Sequence, residues 1–311
     1  MIFSIVITAY NASPWIEKAL TSVFHGSTVP PGVEVDVIVV DDASSDGAAL
    51  HEILARFPRA RLLSHPANRG MCAARNTGLH ASHGEVVTLL DADDWFADDW
   101  PAQLQRLVAT WPPQANVVWT ACRTPRGTST VSQPDYDGWL TVEDFLSERR
   151  WGEYNPVFRG EYIRSRGYID LGPRRECGAI SYLNFALDHP LWISSCVLRI
   201  YDDERPGSFS ADALSPTKAR ETAYTYRALL DRFGTEIRER SPTSYRRRLL
   251  RLGTYSRLAG DPGAWGLLLR GLHWASWREA VGLLVLLLFG RRAYDVLVSL
   301  ARRRGMVKRY G

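Results

Sequence analysis

Cysteine is scarce in this chain and unhelpfully spaced. The four residues Cys72, Cys122, Cys177 and Cys196 form no CxxC pair, which argues against a zinc ribbon or a disulfide framework and for a reducing compartment. Long apolar runs are missing too. The run at residues 281–289 (VGLLVLLLF) is nine residues long, against about 20 for a bilayer span. Extending it to residue 301 would place Arg291 and Arg292 in hydrocarbon at roughly 2.5–3.5 kcal/mol each. The opening MIFSIVITAY carries no basic n-region, so no secretory signal is expected. No internal repeat or low-complexity linker interrupts the 311 residues.

What is present is an ordinary globular balance, 45% hydrophobic and 23% charged, in a chain long enough for one large domain or two small ones. The net charge of +4 hides an asymmetry. Residues 243–311 carry 14 Lys+Arg against 3 Asp+Glu, which leaves 24 against 31 in the remainder. An acidic front and a strongly basic tail predict two tasks, catalysis or binding in front and an anionic partner behind.

Along the front, apolar β-branched runs alternate with helical patterns. Strands are expected at residues 2–8, 34–40, 60–65, 84–90 and 117–120. Helices are expected at 14–25 (capped by Ser13 with Pro14 at the first position), 48–57, 70–80 and 101–111. This alternation predicts right-handed crossovers and a mainly parallel α/β sheet covered on both faces, with ligands held beyond the carboxyl ends of the strands. Residues 123–175 read as irregular apart from a helix at 142–149, and a long helix follows at 215–239.

Two of the strands end in acids. Asp91-Ala92-Asp93-Asp94 crowds three carboxylates into four residues, which repel unless a cation or basic group neutralises them; an all-oxygen set of this kind suits Mg²⁺ or Mn²⁺. Aspartates also cap helices, so the motif alone supports either reading. Asp41-Asp42 and the following Ala-Ser-Ser-Asp-Gly fit an ordinary βα loop or carboxylates that accept hydrogen bonds from a base or ribose. The segment from Asn68 to Gly78 sets small residues at a helix start with Arg75 among them, suited to close packing or to a phosphate.

Four motifs stand in register over about 95 residues: Thr8-Ala9-Tyr10-Asn11, Val39 to Asp46, Asn68-Arg69-Gly70 through Gly78, and Leu89 to Asp94. Together they resemble the nucleotide-sugar half of a family 2 glycosyltransferase with the GT-A fold. The resemblance is clear over residues 1–122 and extends more weakly to about residue 210. It implies that Thr8, Ala9, Tyr10 and Asp42 hold the base of a nucleoside diphosphate sugar, that Arg75 contacts the nucleotide, and that Asp91 and Ala92 lie near the ribose. Asp93 and Asp94 would bind the divalent ion that bridges the phosphates.

In the acceptor half the family's Glu-Asp pair is replaced by Glu176-Cys177, and a thiol makes a poor general base. Glu176 is therefore the expected base, with Asp170 and Asp188 in reserve. Arg199, Tyr201 and Ser208 would line the acceptor or diphosphate, and Trp95 and Trp139 could stack on a sugar. Residues 1–122 would bind the donor, 123–214 the acceptor, and 215–311 would form a helical, basic extension. Tyr294, Leu297, Val298 and Ala301 between arginine clusters, with Trp265, Trp274 and Trp277 upstream, suggest helices lying on an anionic membrane surface or a helical cap on the core.

The reading that results is an inverting, metal-dependent glycosyltransferase at the cytoplasmic face of the membrane, acting on a glycan or lipid-linked acceptor in surface polysaccharide or glycoconjugate synthesis. No nucleic-acid partner is expected. Two alternatives are a non-catalytic nucleotide-sugar-binding partner in a glycan-assembly complex and a nucleotidyltransferase. The latter would normally carry a Gly- and basic-rich loop after its first strand, where this chain has TAYNASPW.

Overall fold

The computed structural model describes residues 1–24, 29–172, 178–203 and 215–272, with Val281, Val285, Val296, Leu297 and Leu300 beyond them. It divides into two compact units, residues 1–142 with 153–205, and residues 143–152 with 206–311.

The first unit is built on strands β1 (Ile2–Ala9), β2 (Glu34–Asp41), β3 (Ala60–Ser64) and β4 (Val86–Asp91), connected through helices α1 (Ile16–Phe24), α2 (Gly47–Leu54) and α3 (Met71–Ala81). There follow β5 (Trp95–Phe96), α4 (Trp100–Thr110), β6 (Val117–Arg123), β7 (Gly138–Leu140), α5 (Val142–Ser147, most of which belongs to the second unit), β8 (Tyr154–Arg159), α6 (Gly160–Arg166), α7 (Gly178–Asp188) and β9 (Leu191–Ile200). The strands form one sheet in the order β3-β2-β1-β4-β8-β6-β9-β5, with β7 also on β9. The four strands of the front half are parallel, whereas β8 runs antiparallel to both β4 and β6. The sheet is thus mixed, parallel through its front half and joined by antiparallel strands behind it.

Between β1 and β4 the strand order reverses, so the loops leaving these two strands part and open a crevice at their carboxyl ends. Register sets its floor. Thr8 pairs across to Val40 on one side and Asp91 on the other. Below the crevice, Phe3, Phe96 and Trp100 stack with ring centroids 5.2–6.5 Å apart. Helix α3 lies against β1 and β2 at Gly78, where a Cβ would collide with Val6. The small residues of that helix therefore do serve close packing, whatever else they do.

Several expectations need correction. Helix α1 begins at Ile16 rather than Pro14, and the Ser13 N–H donates to Asp46 Oδ2 (3.0 Å), tying the loop after β1 to the loop after β2. The stretch read as irregular holds β7, β8 and α6. Cys72 is disulfide-bonded, while Cys122 and Cys196 are buried free thiols.

The second unit is helical: α8 (Pro216–Arg240), α9 (Pro242–Leu258) and α10 (Ala264–Leu272). Ser215 and Ser241 cap the first two, each accepting from the backbone N–H three residues on, with proline at the first helical position. Arg251 grips Glu148 through both guanidinium nitrogens at 2.5 and 3.0 Å. Among the described residues no helix is long and apolar enough to cross a membrane. Trp274, Trp277, Tyr294, Val298, Ala301 and the flanking arginine clusters lie outside the described residues.

Candidate active site

The carboxyl-end loops of β1 and β2 are sewn together. Asn11 N–H donates to Ser44 Oγ (2.9 Å), and Asn11 Oδ1 accepts from both Ser45 N–H and Ser45 Oγ. Asn11 and Ala43 adopt φ of 52° and 60° to make these tight turns. Tyr10, 54% exposed, stands at the rim, while Ala9 is buried in the wall beside Thr8.

Asp42 is buried and fully engaged. Its Oδ1 meets His65 Nδ1 (2.7 Å) and accepts from Arg69 N–H (2.9 Å); its Oδ2 accepts from Gly70 N–H (2.7 Å). Gly70 is the residue preceding α3, at φ 95°, ψ 162°, a region that side chains other than hydrogen rarely tolerate. Asp42 thus supplies the acceptor at the N-terminus of α3, where a negative charge is favoured.

The acidic turn after β4 closes through Asp94 N–H to Asp91 O (3.0 Å). The chain then returns as β5 against β9, which sets Phe96 opposite Arg199 and brings that arginine to the turn. Arg199, only 3% exposed, is the hub. Its Nη1 meets Asp91 Oδ2 (3.1 Å) and Asp94 Oδ2 (3.3 Å), and its Nη2 meets Glu153 Oε1 (2.6 Å) and the Tyr154 carbonyl (3.3 Å). Arg75 Nη2 holds the other oxygen of Asp91 (2.9 Å), and its guanidinium lies 5.5 Å from the Tyr168 ring centroid.

The electrostatics follow from this packing. Burial works to raise the Asp91 carboxyl, but Arg75 and Arg199 together hold it below the ordinary range. Burial opposes protonation of both arginines, and the carboxylates more than compensate, so both stay charged. Asp94, 2% exposed, is pushed well above the ordinary range by burial, with Arg199 pulling it down and Asp91 and Asp93 pushing it up. Its Oδ1 accepts from Asp202 N–H (2.9 Å), and its buried Oδ2 has no hydrogen-bond partner.

No cluster of three or more His, Cys, Asp or Glu side chains with metal-ligating geometry occurs among the described residues. A donor-bound Mg²⁺ or Mn²⁺ needs fewer, since water and phosphate oxygens complete the shell. Asp93 is half-buried in the turn, next to Asp94, whose buried Oδ2 has no hydrogen-bond partner. Asp93 and Asp94 add carboxylate oxygens in the turn after β4, hard ligands that suit Mg²⁺ or Mn²⁺, and the residues fit such an ion.

Of the expected residues, the structure brings Thr8, Arg75, Asp91, Ala92, Asp93, Asp94 and Arg199 to one edge of the sheet, with Tyr201 following Arg199, whose guanidinium lies 5.8 Å from its ring. Glu176 and Ser208 lie outside the described residues. The reserve Asp188 is out of place: it binds Tyr162 and Arg166 just before β9 begins, a strand's length of roughly 30 Å from Arg199. Trp139 pairs with Trp192 at that same far end, and Trp95 is covered by Lys18 Nζ, 3.0 Å from its ring centroid. Glu153 was missed by sequence reasoning. The only signal was an acid just before an apolar strand, inside a stretch without periodicity.

The comparisons with known proteins agree. The model of the family described as "Glycosyl transferase family 2" matches residues 4–165, more than half of the chain. The succinoglycan biosynthesis protein ExoO of Rhizobium meliloti is 36% identical over 103 residues, 33% of this chain and 28% of that protein. Glycosyltransferase AglE of Haloferax volcanii is 35% identical over 180 residues, 55% of each. The first relatives matched are covered over only 28–38% of their length. Among solved structures, S. aureus TarS 1–349 in complex with UDP-GlcNAc has a TM-score of 0.57 at 15% identity, covering 100% of this chain and 94% of that one. The mannosyltransferase PcManGT of Pyrobaculum calidifontis, solved with GDP-Man and Mn²⁺, has a TM-score of 0.56 at 19% identity over 96% of this chain and 86% of that one. A GT-A sheet whose crevice holds the acidic turn, together with a family match over residues 4–165, establishes that this chain belongs to glycosyltransferase family 2.

Proposed function

We propose that this enzyme moves a sugar from a nucleoside diphosphate sugar to a hydroxyl of a glycan or lipid-linked glycan, with inversion, in the assembly of a surface polysaccharide or glycoconjugate. The observation that carries this reading is Asp91 clamped between Arg75 and Arg199 at the mouth of the β1–β4 crevice. TarS and PcManGT, which share the fold, are each solved with a nucleotide sugar, and ExoO is named for polysaccharide synthesis.

Tyr10, with Thr8 and Ala9 behind it, offers the base a rim and a wall. Asp42 acts by fixing the loop that precedes α3. Asp91, kept ionised by its two arginines, offers acceptor oxygens to the ribose hydroxyls, and Arg75 and Arg199 supply positive charge toward the diphosphate. Asp93, with Asp94 behind it, would hold Mg²⁺ or Mn²⁺, which when bound neutralises charge on the leaving diphosphate. In transfer, the acceptor oxygen forms a bond to the anomeric carbon from the face opposite the diphosphate, the carbon–oxygen bond to phosphate breaks, and the hydroxyl proton passes to a carboxylate. By family resemblance that base is Glu176. Replacing Glu176 with Gln should leave donor affinity intact and remove transfer, read as nucleoside diphosphate release in the presence of acceptor; a fully active variant would contradict the assignment.

The second unit supports a membrane-surface location. On α10, Trp265 and Leu269 are 47% and 70% exposed, and the Arg257 guanidinium lies 6.0 Å from the Trp265 ring centroid. Exposed apolar side chains beside an arginine, in a segment of high positive charge, suit an anionic lipid surface.

A further inference from the structure

The carboxylates around Arg199 are not equivalent. Both oxygens of Asp91 are taken by arginines. Asp94 spends one oxygen on the Asp202 N–H and buries the other against Arg199. Glu153 differs. Its Oε1 is pinned by Arg199 Nη2 at 2.6 Å, its side chain is 36% exposed, and its second oxygen has no partner among the described residues. A carboxylate that is fixed at one oxygen and open at the other is an oriented hydrogen-bond acceptor, held without further loss of side-chain freedom.

Topology sets this acceptor in the crevice. Because β8 runs antiparallel to β4, with Val86 opposite Arg159 and Thr88 opposite Val157, the entry to β8 lies at the carboxyl end of β4. Glu153, immediately before β8, therefore stands beside Asp91, and one guanidinium bridges the two. Tyr154, the residue after Glu153, stacks on Trp119 with ring centroids 5.3 Å apart. Tyr182 in turn stands edge-on to Trp119, with centroids 5.2 Å apart. An apolar ring edge beside an oriented carboxylate suits a polyhydroxylated ring.

We infer that Glu153 reads the donor sugar: its open oxygen accepts a hydrogen bond from a sugar hydroxyl, which favours a neutral hexose and rejects a uronic acid by like-charge repulsion. The inference rests on the nucleotide-sugar reading of the crevice.

The test compares wild type with Glu153→Gln, which preserves the oxygen facing Arg199 and replaces the open carboxylate oxygen with an amide nitrogen. Calorimetry uses UDP, GDP, CDP and dTDP, each bare, carrying a neutral hexose, and carrying the matching uronic acid. For the preferred base, the substitution should leave the bare diphosphate within twofold and weaken the hexose form by roughly 5- to 10-fold. It should also narrow the preference for hexose over uronate. Equal hexose affinity in the two proteins overturns the inference. So does an equal loss for bare and sugar-bearing forms, which would mean that Glu153 acts only through Arg199 on Asp91. A folded wild-type protein that binds none of the four diphosphates overturns the donor reading itself, and the inference with it; Glu153→Gln melting with wild type shows that any loss is local.

Discussion

Removing the Asp42 carboxylate separates two roles that this residue could have. Family resemblance gives it a place beside the nucleotide base, whereas the structure has it accept from the Arg69 and Gly70 backbone N–H groups and meet His65. Asp42→Ala orphans the buried Gly70 N–H and the part-buried Arg69 N–H at the N-terminus of α3. At about 1–3 kcal/mol for an unsatisfied buried group and less for the other, the loss is roughly 2–4 kcal/mol; His65 keeps its bond to Thr77 (2.9 Å) and adds less. For a unit of this size that is a fall in melting temperature of about 4–16 °C. Asn in the same place restores the shape and one acceptor oxygen, but turns an N–H₂ toward the remaining donor, so it recovers at most part of the loss. The assay is thermal unfolding of wild type, Asp42→Ala and Asp42→Asn, followed by nucleotide titration of whichever variants stay folded. If Asp42→Ala melts within about a degree of wild type while nucleotide affinity collapses, the reasoning is refuted and the carboxylate works by direct contact with ligand.

Arg199→Met strands three carboxylates, the buried Asp94 and the half-buried Asp91 and Glu153, and should cost about 3–5 kcal/mol at pH 7.5. In the native protein the Asp91 carboxyl is held low, so its contribution is complete above the unfolded value near 4 and fades as pH falls through the folded one. Without Arg199 that depression is relieved, and protonation of Asp94 costs little. The deficit in denaturant unfolding should therefore hold between pH 7.5 and pH 5 and shrink only below about pH 4, and a deficit unchanged at about pH 3 would contradict the electrostatic account. For the second unit, the protein should sediment with phosphatidylglycerol vesicles and much less with phosphatidylcholine ones, and Trp265→Ser with Leu269→Ser should weaken the association. Indifference to lipid charge would rule out the surface reading.

Much of the front half was legible in the sequence because each signal there is local. An apolar strand followed by acids, as in Val86 to Asp94, announces both a buried strand and a loop with chemistry. The back half resisted for physical reasons. Strand β8 contains Pro156, which argues against a central strand, yet it sits between β4 and β6, with Thr88 Oγ1 donating to its carbonyl (2.8 Å) and Asn155 Nδ2 donating to Thr88 Oγ1 (3.0 Å). Those side-chain bonds come from residues some 67 positions away in sequence, and no local pattern reports them. The partnership of Glu153 with Arg199 depends likewise on two strands meeting. Arg199 itself was expected only as a lining residue; its role as the hub of three carboxylates needed the β5–β9 register to become visible.

The central claim is that the acidic turn after β4 binds a nucleoside diphosphate together with a divalent ion carried on Asp93. The most direct measurement is calorimetric titration of UDP, GDP, CDP and dTDP into the purified protein with Mn²⁺ and with EDTA, for wild type and Asp93→Ala. The account predicts that one nucleotide binds wild type with Mn²⁺, and that this binding is lost both in EDTA and in the variant. Binding that survives EDTA and the substitution alike, or none at all to a folded protein, would contradict it.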